Sequence, residues 1–298
     1  MIINQEALAR LYTGFTAVFN AAFQETQTWY EQVAMTVPAN TRIMDYKFLL
    51  DFPMVREWIG DRQISSLEPK AYQVESKDWE ATIEVDRNDI EDDQLGLYNP
   101  IISALAQEAR KHPERLIADL LNGGFTTACY DGRNFFATDH PVGAATTANF
   151  AGGTGPTWYL LDTSRAVKPF IFQLRREVQL VRMDRQDDEH AFMRKKLRSG
   201  VDYRGAAAFG LWQLAYASKE TLNSTNYAAA RAAMMSVKNA DGRPLGLKSN
   251  LLLVPPSLEA EAREILQAQF IIGDPNSGGA KTNVWQGTAD LLVVPELT

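Results

Sequence analysis

The sequence predicts an α+β protein, and three stretches carry that reading. From Asn99 to Gly124 apolar residues recur at helical spacing: Ile101, Ile102, Leu105, Ala106 and Ala109, then Leu116, Ile117, Leu120 and Leu121. From Trp79 to Asp86 the period is two, with Trp79, Ala81, Ile83 and Val85 alternating with Glu80, Thr82, Glu84 and Asp86. From Leu251 to Val254 a short apolar run reads as a buried strand, stopped by Pro255-Pro256 and followed by a further helix. The 298 residues can bury a substantial core and suggest about two domains.

The remaining elements follow in chain order. Residues 5 to 35 read as a helix or a pair of helices, because Leu8, Leu11, Tyr12, Phe15, Val18, Phe19, Ala22 and Phe23 fall three and four apart. So aromatic a stripe must bury against something, either its own domain or a neighbouring subunit. Residues 45 to 70 hold many large apolar groups without a clean period. Among them runs Arg56-Glu57-Trp58-Ile59-Gly60-Asp61-Arg62, both charge signs around an indole, which reads as an interaction surface. Tyr72 and Val74 alternate with Gln73 and Glu75, and Ser76-Lys77-Asp78 offers a turn. Residues 71 to 86 therefore read as a β-ribbon, which needs a partner to be stable.

In the long helix Asn99 is the expected cap, Pro100 suits the first position, and Pro113 should kink it near Ala109 to His112. Gly123 and Gly124 supply the stop. Gly143 to Thr157 is Gly-rich and is expected to be flexible. Phe170 to Phe172 and Val178 to Val181 are strand-like, with a charged turn at Asp184 to His190. Val201 to Ala217, holding Gly205 and Gly210, reads as a bent or bulged strand. Asn226 to Lys238 is a helix of small residues, Ser257 is the expected cap of a helix to about Gln269, and Ala289 to Val294 is a last strand.

Composition excludes several classes. A hydrophobic fraction of 45% with 22% charged residues is that of an ordinary globular chain. A net charge of −7 argues against a surface built to grip nucleic acid. A single cysteine permits no intrachain disulfide and suits a reducing cytoplasm. Neither a secretory signal nor a membrane-length apolar run is visible. Cys129, Asp131, Asp139 and His140 are the natural enzyme candidates. However, no helix start follows Cys129 to activate its thiol, so a buried structural cysteine and an Asp-His turn pair are the expected reading. Asp89 to Asp93 resembles the start of a calcium loop, but Gln94 and Pro100 stand where glycine and glutamate are required. His112, His140 and His190 are too scattered for zinc spacing. Gly273 to Thr282 departs from a P-loop in spacing and lacks a following helix. No catalytic residue, cofactor or metal is therefore expected.

What remains is a set of contact surfaces, and several segments together resemble one family, the major head (capsid) subunit of Mu-like bacteriophages. They are Tyr12 to Phe15 (YTGF), Ala34 to Pro38 (AMTVP), Arg56 to Arg62 (REWIGDR), Ile90 to Gln94 (IEDDQ) and Gly124 to Gly132 (GFTTACYDG). Phe135 to Val142 (FFATDHPV), Gly210 to Ser218 (GLWQLAYAS), Arg243 to Leu247 (RPLGL) and Leu253 to Leu258 (LVPPSL) continue the likeness.

The resemblance implies the tailed-phage, HK97-like capsid fold, with no enzymatic role. Residues 1–40 would be an N-terminal arm and 41–88 an extended loop with its ribbon at 71–86. Residues 89–125 would hold the spine helix of a peripheral domain, 126–157 a turn and flexible loop, 158–220 peripheral-domain strands, and 221–298 an axial domain. One departure is visible: the axial-type helix and the Val-Pro-Pro strand follow the long peripheral strands, whereas in many such subunits they precede them. The expected contacts between subunits are Phe15, Phe19, Arg56, Glu57, Trp58, Asp61, Arg62, Tyr72 and Trp79. The implied partners are copies of the chain in hexamers and pentamers, a separate scaffolding protein (the arm begins at Met1, leaving no room for a fused one), and decoration and portal proteins. Double-stranded DNA would be enclosed without sequence-specific binding, with no membrane involved, and the product would reside in the virion. The rival readings are a cytosolic Cys/His hydrolase built on Cys129 and His140, and another phage structural protein of the tail or tube.

Overall fold

The computed structural model describes residues 5–46, 72–86, 88–89, 98–183, 193–272 and 280–297. Arg56, Glu57, Trp58, Asp61 and Arg62 lie outside the described residues, as do the turn at Asp184 to His190 and the loop at Gly273 to Gly279.

The N-terminal stripe forms α1 (Gln5–Glu25) and the short α2 (Tyr30–Val33), which runs directly into β1 (Ala34–Pro38). β2 (Ile43–Asp45) pairs antiparallel with β3 (Gln73–Glu75). β4 (Lys77–Asp86) is the alternating stretch. The ribbon at 71–86 is therefore not a self-paired hairpin, and Ser76 is a point where the chain changes partner rather than a turn. Its amide bonds back to Arg42 O at 3.0 Å, after which β4 joins a different sheet.

α3 (Asn99–Gly123) is the long helix, with Pro113 buried inside it. Its cap position is Tyr98 and not Asn99, and no side chain caps it. The Gly-rich stretch is ordered by pairing: β5 (His140–Val142) and β6 (Ala145–Thr147) form a hairpin whose turn holds Gly143 at φ +59°. β7 (Phe150–Ala151) and β8 (Trp158–Leu161) follow. β9 (Phe170–Met183) and β10 (Lys196–Phe209) are long antiparallel neighbours, irregular in register between Asp202 and Gly205. Val201 to Ala217 is thus not one bent strand: β10 stops at Phe209, a 3-10 turn spans Trp212–Leu214, and Ala215 to Ala217 belong to a strand of another sheet. A side chain at Gly205 would bring its Cβ within 2.8 Å of Gln173 O, so glycine lets the strands close at that point.

β11 (Ala215–Ser218), α4 (Ser224–Met235), β12 (Leu251–Val254), α5 (Glu259–Gln267), β13 (Phe270–Ile272), β14 (Ala280–Thr282) and β15 (Asp290–Val293) complete the chain. Asn223 caps α4, accepting from Asn226 N at 2.9 Å. Ser257 does not cap α5, because it sits inside a short 3-10 turn at Pro256–Leu258 that precedes the helix.

Two sheets result. One has the order β1-β9-β10-β4, with β1 parallel to β9 and β4 at an edge. The other has the order β15-β12-β8-β11-β7. The span 158–220 thus divides: β9 and β10 lie in the first sheet, while β8 and β11 join β12 and β15 in the second. Periodicity assigns each strand a face but not a sheet, which is why a boundary drawn at residue 220 does not follow the hydrogen bonding.

The buried apolar residues among those described form two clusters. The larger spans both sheets and includes Phe135, Phe136, Trp158, Tyr159, Phe170, Phe209 and Trp212. The smaller gathers Phe15 and Phe19 of α1, Val85 of β4, Leu197 and Val201 of β10, and Ile102, Leu105, Ala106 and Ala109 of α3. Ile117, Ala118 and Leu121 of α3 belong to the larger cluster. One helix therefore feeds both cores, its first half the smaller and its second half the larger.

Candidate functional site

Tyr46 and Tyr72, the described residues on either side of 47–71, meet in one built feature. β2 and β3 form a short ladder, and Tyr46 N donates to Tyr72 O at 3.0 Å at its open end. Gln173 of β9, fully buried, ties this ladder to the first sheet. Its Oε1 accepts from Tyr46 Oη at 2.9 Å, and its Nε2 donates to Ser76 Oγ at 2.6 Å and to Val74 O at 3.4 Å. Burial pushes the Tyr46 phenol up to about 12, which keeps it a donor. The Tyr72 hydroxyl accepts from Phe209 N at 3.0 Å, and burial raises it likewise to about 12. No sequence signal pointed to Gln173, because a lone Gln in an apolar strand has no period of its own.

Trp79, also expected to meet a neighbour, is half-buried in its own subunit. Its Nε1 donates to Gly205 O at 3.1 Å, and its ring lies 4.5 Å from that of His112 on α3. His112 Nδ1 in turn bonds Tyr203 Oη. Burial, with the nearby Arg115 guanidinium second, lowers the His112 pKa. Phe15 and Phe19 are 4% and 3% exposed and pack inside the smaller core of their own chain. The physical reason is that α1 lies against α3 and β9 and so covers its own apolar stripe. Tyr12 Oη donates to Leu180 O at 2.6 Å, and Arg182 lies 4.5 Å over the Tyr12 ring.

The structure does bring Cys129, Asp131 and His140 together. Gly132, at φ +83°, closes a turn in which its amide bonds Cys129 O at 3.0 Å. His140, fully buried, approaches from the start of β5 and places Nδ1 2.6 Å from Asp131 Oδ2. Cys129 Sγ donates to the other carboxylate oxygen at 3.1 Å. The order is wrong for nucleophilic catalysis. The carboxylate stands between thiol and imidazole, whereas a Cys-His pair needs the imidazole next to sulfur. Burial, reinforced by the Asp131 charge, pushes the Cys129 thiol well above its ordinary range. Burial also acts to raise Asp131, but hydrogen bonds from His140, Arg133 and Cys129 outweigh it and leave that carboxyl lowered. The cluster is a satisfied polar knot and not a poised nucleophile.

Comparison with known proteins decides the family. The family model of the Mu-like prophage major head subunit gpT matches residues 8–297.

The chain belongs to this family of head subunits.

It is 37% identical to the major capsid protein of Escherichia phage Mu over the whole of both chains. It superposes on a chain of the solved procapsid of bacteriophage JBD30 with a TM-score of 0.86, at 38% identity, covering 99% of this chain and 100% of that one. A chain of the JBD30 capsid decorated with minor capsid protein trimers gives a TM-score of 0.73 at 28% identity, over 91% of each chain. The fold of this head subunit is thus the tailed-phage capsid fold that the sequence motifs suggested. No described helix of the head subunit is long and apolar enough to cross a membrane.

The outer face of the head subunit's first sheet is a charge lattice. β4 presents Asp78 and Glu84 to Arg204, Lys196 and Arg198 of β10, with Glu84 to Lys196 at 2.9 Å. Hydrogen bonds from Lys196 and Arg198 hold the Glu84 carboxyl down at about 2. Alternation makes this possible, since the same strand carries its apolar residues on the face toward α1 and α3.

Proposed function

We propose that this head subunit assembles with copies of itself into pentamers and hexamers that close an icosahedral shell around double-stranded phage DNA. The observation that carries the reading is the match of nearly the whole chain, fold and sequence together, to a procapsid chain. Residues 1–40 act as the N-terminal arm, 41–88 as the extended loop and 89–125 as the spine. The β1-β9-β10-β4 sheet is the peripheral layer. The five-stranded sheet with α4 and α5 is the axial region, which assigns β8 and β11 to it as well.

The ladder held by Gln173 supports the loop assignment, because it brings Tyr46 and Tyr72 together and ties them to β9. Arg56, Glu57, Trp58, Asp61 and Arg62 are the proposed contacts with a neighbouring subunit, through opposite charges around an aromatic. The subunit is not an enzyme in this reading, and it needs no cofactor. Its further partners are a separate scaffolding protein during assembly, portal and decoration proteins. The net charge of −7 suits a lumen that holds DNA without gripping it.

Electron microscopy of the purified chain, with a Trp58→Ala/Arg62→Ala double variant beside it, tests the proposal. Closed shells that the double variant fails to form are expected. Tubes would replace the reading with a tail component, small discrete particles would overturn assembly altogether, and normal shells from the double variant would remove the proposed contact.

A further inference from the structure

Cys129, Asp131 and His140 offer a sulfur, an oxygen and a nitrogen that lie within 4.8 Å of one another. We propose that this cluster is a buried binding site for a single zinc ion. Four observations carry it.

First, the donors come from two chain segments locked in place by backbone contacts. Cys129 N donates to Arg133 O at 2.7 Å, and Arg133 N donates to Asp131 Oδ1 at 2.9 Å. His140 enters from β5, stacked on Trp212 with ring centroids 4.0 Å apart and planes 8° from parallel.

Second, the histidine is oriented as metal-bound histidines are. Asn149, 2% exposed, turns its Nδ2 toward the carbonyls of Phe135, Trp212 and Ala215, so its Oδ1 faces His140. His140 Nε2 then meets two acceptors, Phe135 O and Asn149 Oδ1, each at 3.2 Å. That nitrogen must carry a proton, which leaves Nδ1 to face the cluster. An outer N–H fixed on a backbone carbonyl is the arrangement that sets tautomer and ring angle in metal sites.

Third, the charge and proton balance closes. In the metal-free cluster the Asp131 carboxylate accepts one proton-bearing contact from the thiol and one from the imidazole. A divalent ion takes the place of those two protons, which leave to solvent. The ion's two positive charges then meet one thiolate and one carboxylate, with a neutral imidazole, and no net charge is buried.

Fourth, the donor set is selective. One soft sulfur, one imidazole and a single carboxylate suit zinc, whereas calcium and magnesium require several oxygen ligands. Zinc ligands about 2.0–2.3 Å from the ion stand roughly 3.2–3.8 Å apart. The present Nδ1 to Oδ2 separation of 2.6 Å must therefore widen by about an ångström at most. The Asp131-Gly132 turn, whose glycine is exposed, can supply that movement.

The test uses the full chain, stripped with a chelator under reducing conditions and titrated with cobalt(II) and then zinc. One equivalent should bind, with a near-ultraviolet thiolate-to-cobalt charge-transfer band that zinc abolishes. Cys129→Ser keeps a hydroxyl to bond Asp131, and it should abolish the band and weaken zinc at least 100-fold. Removing the outer contact with Asn149→Ser should weaken zinc about 10–100-fold. X-ray absorption on the zinc-loaded wild type should find a sulfur at about 2.3 Å, and this measurement needs no variant to fold. A folded wild-type chain that takes up no zinc overturns the proposal. So does uptake that Cys129→Ser leaves unchanged, or a zinc shell without sulfur.

Discussion

Replacing Gln173 by leucine isolates the contact that ties the β2-β3 ladder to the first sheet. The change keeps the volume of a fully buried side chain but takes one hydrogen-bond partner from each of two buried hydroxyls, Tyr46 Oη at 2% residue exposure and Ser76 Oγ at 3%. Taking a partner from a buried polar group costs up to about 1–3 kcal/mol. Two such groups bracket the loss at roughly 2–6 kcal/mol. The lower half of that range is expected, since the serine hydroxyl can rotate toward another acceptor. Taking about 3 kcal/mol and about 2–4 °C per kcal/mol for a chain of this size, Tm should fall by roughly 6–12 °C.

Tyr46→Phe supplies the decisive comparison. Alone it should cost about 1 kcal/mol. In the Gln173→Leu background the Gln173 contact is already gone, so Tyr46→Phe should cost less there than it does in the wild type. Urea unfolding of the unassembled subunit measures all four species, and amide exchange at Tyr46 and Ser76 should quicken first in Gln173→Leu. A double variant whose loss equals the sum of the two singles would refute the coupling. A Gln173→Leu protein as stable as wild type would refute the clamp itself.

Gly153 has φ +128°, and a Cβ there would sit 2.2 Å from Lys219 O, so Gly153→Ala should destabilise the subunit by about 2–3 kcal/mol, read as a lowered Tm. Glu84 titrates near 2 when folded against an ordinary value of 4.5, because Lys196 and Arg198 hydrogen-bond its ionised form. Its contribution is accordingly complete above about pH 4.5 and is lost as pH falls toward about 2. Glu84→Gln should flatten the acid limb of a urea-midpoint profile across that window, and an unchanged slope would contradict the pairing.

Local elements were legible in the sequence where one face meets water and the other a core. The alternation of Trp79, Ala81, Ile83 and Val85 marked β4, and the three-four spacing marked α1 and α3. Partnership was not legible. Period two states which face a residue takes and nothing about which strand lies beside it, so Ser76 read as a turn and β8 read with β9. The stripe of α1 had two possible covers, and its burial against α3 needed coordinates to settle it. The resemblance carried the fold where periodicity stopped. Cys129, Asp131 and His140 were legible as a buried cysteine beside an Asp-His turn pair, but the part played by Asn149 was not, because it is a polar residue in a stretch whose composition suggested looseness.

The edge position of β4 has a consequence for how the chain comes off the ribosome. Its ladder partner is β10, and Glu84 meets Lys196 across a separation of 112 residues. At about 5–20 residues per second, β4 waits roughly 6–20 s after its own synthesis before that partner emerges. Through that interval its Trp79, Ala81, Ile83 and Val85 face has no completed sheet to belong to, and an unpaired strand edge templates association between nascent chains. The acidic side chains alternating along β4, Asp78, Glu80, Glu84 and Asp86, repel another copy of the same strand until Lys196, Arg198 and Arg204 arrive. The charges that later fasten the sheet thus first act as a guard against premature pairing, in a protein whose purpose demands many copies made close together.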